Sequence, residues 1–169
     1  MISYPSISVV IPARNEEREL PACLEALRLQ DYPHEYEIIV VDNGSIDDTA
    51  RIAASLGARV VQEPRKGPGW ARQAGFTAAQ GEIIASTDAD TLVPTDWLSS
   101  IADAFSKHPD LVGVGGPYSL RGAPILVRTV IGTIFFSVPL LRRLIPKSWN
   151  FSGCNFAVKA STFQRVGGF

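Results

Sequence analysis

Cysteine is scarce in this chain of 169 residues: Cys23 and Cys154 are its only two, and neither has a histidine or second cysteine close in sequence. A metal site built on thiolates needs closely spaced ligand pairs, so that class of site is excluded. One disulfide stays open as an alternative. We favour two buried free thiols, which indicate a reducing compartment.

An excess of charge of either sign is also missing, because 16 basic residues meet 17 acidic ones for a net charge of −1. The net charge therefore gives the protein no general attraction for nucleic acid, and we expect no nucleic-acid partner. The first residues, 1–5, lack the basic start and long apolar run of a signal peptide, which predicts a cytoplasmic protein. A hydrophobic content of 46% suffices for a core, and the length predicts a single domain over 1–169.

Short β-branched runs alternate with longer helical patterns along the chain. Strands are predicted at 7–11, 37–41, 59–62, 82–86 and 112–115, and helices at 16–30, 47–56, 70–80 and 94–107. This alternation predicts an α/β fold, a mostly parallel sheet with helices on both faces. Ligands bind such sheets at the carboxyl ends of the strands. The loops at 12–16, 42–45, 63–69 and 88–90 should therefore meet at one edge.

Two carboxylates, Asp88 and Asp90, lie two residues apart just after the predicted strand at 82–86. In extended backbone, residues i and i+2 point the same way, so both can face one point. Mg²⁺ and Mn²⁺ prefer oxygen ligands, and Mg²⁺ is often held by one or two carboxylates plus substrate phosphates. The pair predicts a metal–diphosphate bridge, although a simple turn or helix start fits the spacing equally well.

Basic side chains and one further carboxylate belong to the same loops. The basic residues are Arg14, Arg65, Lys66 and Arg72. A diphosphate is bound by a metal on one side and by such cations on the other. We favour Arg72, because the small residues Ala71, Ala74 and Gly75 would let a ligand approach its helix; Arg65 and Lys66 fit a solvated surface equally well. Asp42 either accepts a hydrogen bond from a nucleoside or bonds its own turn.

The sequence resembles glycosyltransferase family 2, a family of inverting enzymes with the GT-A fold. Four motifs in family order carry the resemblance: SVVIPARNEE at 8–17, EIIVVDNGSID at 37–47, GWARQAG at 69–75, and GEII at 81–84 leading to Asp88-Ala89-Asp90. A weaker match follows in GCNFAV at 153–158 and VGGF at 166–169.

This resemblance implies a GT-A-type domain that binds a UDP- or GDP-linked sugar with Mn²⁺ or Mg²⁺ and transfers the sugar to an unidentified acceptor. The loop at 12–16 and Asp42 would hold the nucleoside, Arg72 would lie beside the base or diphosphate, and Asp88 would reach the ribose. The candidate donor-site residues are Pro12, Arg14, Glu16, Asp42, Lys66, Arg72, Asp88 and Ala89; the candidate metal ligands are Asp90 and Asp88.

The sequence departs from the family pattern at its end. Family members continue beyond the position of Phe169 with a Glu-Asp pair that supplies the catalytic base, whereas this chain has no Asp or Glu after Asp110. We therefore expect a domain truncated at its C-terminal end, with its base beyond Phe169. A nucleotide-sugar-binding module without activity is the alternative. A nucleotidyltransferase is less favoured, because the loop at 12–15 is too bulky for a phosphate-binding glycine loop.

A long apolar stretch at 123–145 breaks the alternation. Arg128 and Pro139 interrupt it, and its longest uncharged run falls short of the ~20 residues of a membrane-spanning helix. Basic residues flank it, a pattern typical of a helix lying on an anionic membrane surface. The favoured alternative is a buried helix or a wall of the acceptor site. Membrane contact would suit a lipid-linked acceptor at the inner face of the membrane.

Overall fold

The computed structural model describes residues 4–117, 129 and 153–169, and in this part the predicted alternation is confirmed. The strands are β1 (Ile7–Ala13), β2 (Tyr36–Asp42), β3 (Arg59–Gln62), β4 (Ile83–Ser86), β5 (Gly113–Gly115) and β6 (Phe156–Lys159). The helices are α1 (Leu20–Arg28), α2 (Thr49–Ser55), α3 (Pro68–Ala78), α4 (Trp97–Lys107) and α5 (Ala160–Val166).

One sheet contains all six of these strands, in the order β3-β2-β1-β4-β6-β5. The strands β3, β2, β1 and β4 are mutually parallel, and β6 runs antiparallel to both of its neighbours. The predicted mostly parallel sheet is therefore confirmed. The carboxyl ends of the four parallel strands all open onto one edge.

Strand β1 continues through Pro12, although the sequence predicted that it would stop there. Pro12 pairs with Val41 of β2, whereas β4 accompanies β1 only as far as Val10. The Val10 carbonyl accepts the N–H of Thr87 on the β4 side, and residues two apart in a strand face the same neighbour. The N–H that proline lacks would point to where β4 has already ended, so no ladder bond is lost.

Apolar clusters cover both faces of the sheet. On one face α1 and α4 pack against Val9, Ile11 and Val40. On the other, α3 and α5 pack against Val10 and Ile39. Successive residues of β1 thus supply opposite faces, and the prediction of helices on both faces is confirmed.

Helix α3 packs so closely on the sheet that Gly75 has no room for a side chain. A Cβ there would lie 2.3 Å from Val10 Cγ1 and 2.8 Å from Val41 Cγ2. Gly75 therefore faces the sheet, and the expectation that it opens the helix to a ligand is wrong.

Asn155, which follows segment 118–152, is hydrogen-bonded to residues that precede this segment. Its Nδ2 donates to the Pro117 carbonyl at 2.9 Å, and its Oδ1 accepts from Trp97 Nε1 at 2.9 Å. The N–H of Gly116 donates to the Asn155 carbonyl at 3.2 Å. The apolar stretch at 123–145 lies outside the described residues except for Thr129. Within the described ranges, no helix has the length and apolar character needed to cross a membrane.

The two cysteines differ in burial. Cys23 on α1 is a buried free thiol, as predicted, whereas Cys154 is only half-buried. Burial, with a smaller contribution from Asp90 and Asp88, raises the pKa of the Cys23 thiol to about 12. Cys23 is therefore an inert part of the core.

Candidate functional site

A cleft of about 460 Å³ opens at the carboxyl ends of β1, β2 and β4. All four of the loops predicted to meet at one edge contribute to it, together with the first turns of α3. Its lining residues are Pro12, Ala13, Arg14, Glu16, Asn43, Gly67, Pro68, Ala71, Arg72, Asp88, Ala89, Asp90 and Gly153. Among the predicted site residues, Asp42 and Lys66 do not line the cleft.

Ala89 anchors the loop that carries the two predicted metal ligands. Its side chain is 3% exposed and packs in the core cluster shared with α1 and α4. From α1, Cys23 Sγ donates a weak hydrogen bond to the Asp88 carbonyl at 3.6 Å, and the N–H of Thr91 donates to the same carbonyl at 3.1 Å. The apolar residue between Asp88 and Asp90 thus fixes the backbone while both carboxylates line the cleft.

Arg72 enters the cleft from α3 and is held by three groups. Its Nη2 donates to Asp88 Oδ1 and, at 3.1 Å, to the Gly153 carbonyl, and its Nε donates to Ser86 Oγ at 3.4 Å. A Cβ on Gly153 would lie 2.7 Å from that Nη2, so the guanidinium passes directly over this glycine. A planar guanidinium reaches several acceptors at once, which an ammonium group cannot do.

Negative charge is only partly balanced in the cleft. Burial raises the pKa of Asp88, Arg72 opposes that rise, and Asp90 adds to it. The pKa of Glu16 is also raised, first by burial and then by Asp90. A cation arriving in the cleft would relieve this repulsion.

The donor set fits a metal ion that completes its coordination with ligand oxygens. Asp88 and Asp90 supply hard carboxylate oxygens, as Mg²⁺ and Mn²⁺ require. The described part of the chain holds no group of three or more His, Cys, Asp or Glu side chains arranged to bind one ion. One or two carboxylates plus phosphate oxygens is the usual arrangement for Mg²⁺ in proteins.

Reciprocal hydrogen bonds join the loop after β1 to the loop after β2. The N–H of Asn15 donates to Ser45 Oγ at 3.0 Å, and the N–H of Ile46 donates to Asn15 Oδ1 at 2.9 Å. Asn15 has a positive φ of 58°, a conformation that asparagine tolerates better than most residues. The N–H of Glu16 donates to Thr49 Oγ1 at 2.8 Å. The cleft residues on either side of Asn15, Arg14 and Glu16, are thereby held in place.

Asp42 makes the turn bond that was one of its two predicted alternatives, while its neighbour Asn43 lines the cleft. Asp42 is 5% exposed, and its Oδ1 accepts the N–H of Ser45 at 3.0 Å, as a turn residue does. Asn43, which reads as a turn residue, lines the cleft and bonds the loop between β3 and α3. Its partners lie 20 to 24 positions away along the chain, so no local signal could have identified them.

Arg65 makes its contacts within and next to the same loop. Its Nε and Nη2 donate to the two carboxylate oxygens of Glu63 at 2.9 and 2.8 Å, and its guanidinium lies 4.0 Å above the centre of the Trp70 ring. These hydrogen bonds, with one from the Arg65 backbone, hold the pKa of Glu63 at about 2. Lys66 is exposed beside this pair.

Comparison with known proteins gives one family and a consistent set of relatives. The sequence model of glycosyl transferase family 2 matches residues 8–167. An uncharacterized glycosyltransferase of Mycobacterium tuberculosis is 41% identical over 139 residues, 82% of this chain and 61% of the relative. The undecaprenyl-phosphate 4-deoxy-4-formamido-L-arabinose transferase of Klebsiella pneumoniae is 34% identical over 128 residues, covering 67% of this chain and 38% of the relative. The chain thus spans less than two thirds of the length of these relatives.

Solved structures agree. A mannosyltransferase from Pyrobaculum calidifontis, in complex with GDP-Man and Mn²⁺, superposes with a TM-score of 0.79 at 28% identity, over 99% of this chain and 48% of that one. Glucosyl-3-phosphoglycerate synthase from Mycobacterium tuberculosis, in complex with Mn²⁺, UDP and glucosyl-3-phosphoglycerate, gives a TM-score of 0.66 at 25% identity, over 93% of this chain and 57% of that one. Both neighbours hold a nucleotide together with Mn²⁺.

Proposed function

Since the chain belongs to glycosyl transferase family 2, we propose that it binds a nucleotide-diphosphate sugar with Mn²⁺ or Mg²⁺ and transfers the sugar to an acceptor with inversion. The observation that carries this proposal is the cleft at the carboxyl edge of the sheet, where Asp88 and Asp90 accompany Arg72. Open α/β sheets bind their ligands at this edge. The Mn²⁺ and nucleotides in the two solved neighbours support it.

In this proposal Asp90 and Asp88 hold the metal, which when bound acts as a Lewis acid on the leaving diphosphate. Pro12, Arg14 and Glu16, which also line the cleft, bind the nucleoside. Of the remaining predicted residues, Arg72 lies beside the base or the diphosphate and Ala89 lies beneath the donor. Asp42 and Lys66 do not line the cleft, so we place Asp42 behind the nucleoside, through its bond to Ser45, and the exposed Lys66 at the rim beside the diphosphate. The guanidinium of Arg72 orients the carboxylate of Asp88 before the donor arrives.

Transfer to a hydroxyl also requires a base, which typically contributes ~10²–10⁴-fold to the rate. Residues 111–169 contain no Asp, Glu or His. Asp96 and Asp103, on the exposed side of α4, do not line the cleft, and Asp103 pairs with Lys107. We propose that the base belongs to the portion of the family fold that these 169 residues do not span.

The shortage of bases favours a second candidate function, nucleotide-sugar binding without transfer. Calorimetry with UDP, GDP and their sugars, with and without Mn²⁺, tests the binding that both functions share. Absence of binding by any of these donors in the presence of Mn²⁺ would contradict both. An acceptor assay then separates them: the 169-residue chain should bind donor yet transfer slowly, and robust acceptor-dependent transfer would place a base within it.

For the acceptor we propose a lipid-linked molecule. The support is the basic-flanked apolar stretch at 123–145 and the name of the Klebsiella relative, which specifies undecaprenyl phosphate. The chain should then sediment with vesicles containing anionic phospholipid and remain in the supernatant with zwitterionic ones. Equal distribution between supernatant and pellet for the two vesicle types would contradict membrane contact at the inner face.

A further inference from the structure

We infer that Asn43 is a positioning residue. Its side chain holds in place the loop that forms the nucleoside wall of the cleft. This inference rests on the proposed function. Asn43 lies within the motif at 37–47 but is not among the predicted site residues. Asn43 does not need to touch the nucleotide. It acts through the loop between β3 and α3, residues 63–67, which we name the wall loop.

Asn43 uses both of its amide hydrogens and its carbonyl oxygen on this loop. Its Nδ2 donates to the carbonyls of Glu63 and Arg65 at 2.8 and 2.7 Å, and its Oδ1 accepts the N–H of Gly67 at 2.7 Å. Its own backbone N–H donates to the Ala13 carbonyl of β1 at 2.9 Å. The residue is 4% exposed, so water cannot reach these groups, and loss of the bonds would leave buried polar groups without partners. Asn43 thus joins β1, through its backbone N–H, to the wall loop, through its side chain.

The wall loop needs such support because its end is conformationally unusual. Gly67 has a φ of 132°, which residues with a side chain rarely adopt, and a lone glycine has many competing conformations. The bond from its N–H to Asn43 selects one of them. Gly67 and Pro68 line the cleft directly, and the Gly67 carbonyl accepts the N–H of Ala71 in the first turn of α3. Asn43 therefore sets the wall, whereas the position of α3, which carries Arg72, is also fixed by the packing of Gly75 on Val10 and Val41.

The geometry also separates Asn43 from the metal end of the cleft. Asp88 and Asp90 are held by β4 and by Ala89, without a hydrogen bond to Asn43 among the described residues. Loss of Asn43 should therefore weaken nucleotide binding while leaving the gain from Mn²⁺ unchanged. A general loss of folding would reduce both together.

The experiment compares Asn43→Ala, Asn43→Asp and the control Ser8→Ala in the full chain. Ser8 is a matched control, because its buried hydroxyl also makes three bonds, from the N–H groups of Gln80 and Gly81 and to Glu37, but at the opposite edge of the sheet. Asn43→Asp preserves shape and the acceptor for Gly67 while replacing the two donors. The measurements are calorimetric Kd values for UDP and GDP with and without Mn²⁺, and amide hydrogen exchange at Gly67.

Both Asn43 variants should bind the nucleotide at least about tenfold more weakly than the parent, because a small displacement of a binding wall lowers affinity strongly. The ratio of Kd values without and with Mn²⁺ should stay as in the parent, and Ser8→Ala should bind like the parent. Asn43→Ala should also lose exchange protection at Gly67. Parent-like binding by either Asn43 variant, an equal loss in Ser8→Ala, or unchanged protection at Gly67 in Asn43→Ala would overturn the inference.

A different result marks failure of the proposed function itself. If the parent binds neither UDP nor GDP in the presence of Mn²⁺, that function falls and takes the nucleotide-positioning role of Asn43 with it. If the parent binds and the Asn43 variants bind equally well, only the role of Asn43 falls.

Discussion

The two edges of the sheet carry cavities of nearly equal size, about 460 Å³ at the carboxyl ends and about 490 Å³ at the opposite edge, but their charges differ. At the opposite edge Glu82 accepts the N–H of Ser6 at 3.3 Å, and Lys159 Nζ donates to the Pro109 carbonyl at 2.5 Å. At the carboxyl edge, burial and neighbouring carboxylates raise the pKa values of Glu16 and Asp88. The two cavities therefore differ in the balance of their charges rather than in their volumes.

The largest effect on nucleotide binding is expected when one carboxylate is removed from each cavity in turn. Asp90→Ala should abolish the metal-dependent part of nucleotide binding, because a metal held by one or two carboxylates cannot lose one. Glu82→Ala, at the opposite edge, should bind UDP or GDP as the parent does. Calorimetry with and without Mn²⁺ measures both. Unchanged metal dependence in Asp90→Ala would contradict the metal assignment.

A smaller effect is expected from Arg72, the cation of the carboxyl edge. Arg72→Lys should lower nucleotide affinity about tenfold despite the retained charge, because an ammonium group cannot reach Asp88, Ser86 and the Gly153 carbonyl together. The same titrations measure it, with Arg72→Ala for comparison. Parent-like affinity in both variants would show that this guanidinium has no part in binding.

The pH dependence of stability tests an ion pair at the carboxyl edge whose charges are balanced, Glu63 with Arg65. Arg65 holds the pKa of Glu63 at about 2, below its ordinary value of 4.5. The stabilisation is complete above 4.5 and disappears as the pH falls from 4.5 towards 2, because the unfolded chain is protonated first. Glu63→Gln should flatten this part of the curve in urea denaturation, and Arg65→Ala should do the same. A slope equal to the parent's in both variants would contradict the prediction.

The smallest effect concerns Glu16, whose raised pKa has the opposite consequence. Its charge disfavours the folded state at neutral pH, so Glu16→Gln should raise Tm at pH 7, by no more than about 2–4 °C. The gain should fade below pH 4.5, where the parent carboxyl is protonated in both states. Glu82→Gln, which disturbs bonds to Ser6, should show no gain. Thermal melts in EDTA measure both, and a lower Tm for Glu16→Gln would contradict the prediction.

Local patterns predicted the sheet and the loop positions well, because hydrophobic periodicity and turn residues act over short stretches. The run through Ile11 and the turn after Asp42 are examples, and both mark real strand ends to within two residues. The end of β1 differed because it depends on where β4 stops, which is a property of two strands together.

The site was predicted less evenly. The sequence predicted that Asp88, Asp90 and Arg72 would lie close together, and the structure brings all three to one cleft; their part in binding stays a prediction. Asn43 was missed because its role consists of bonds to backbone groups far along the chain. The orientation of Gly75 was wrong because its constraint, contact with Val10 and Val41, exists only after α3 packs.

The hydrogen bonds of Asn155 have a consequence for how such a domain can diversify. Because the side chain joins Pro117 to Trp97 and its carbonyl joins Gly116, the described residues on either side of segment 118–152 are bonded to each other and to the start of α4. None of these bonds uses a residue of 118–152. Exchange of this segment for the equivalent residues of a relative should therefore leave them in place, so that the segment can vary in sequence without the sheet having to change with it.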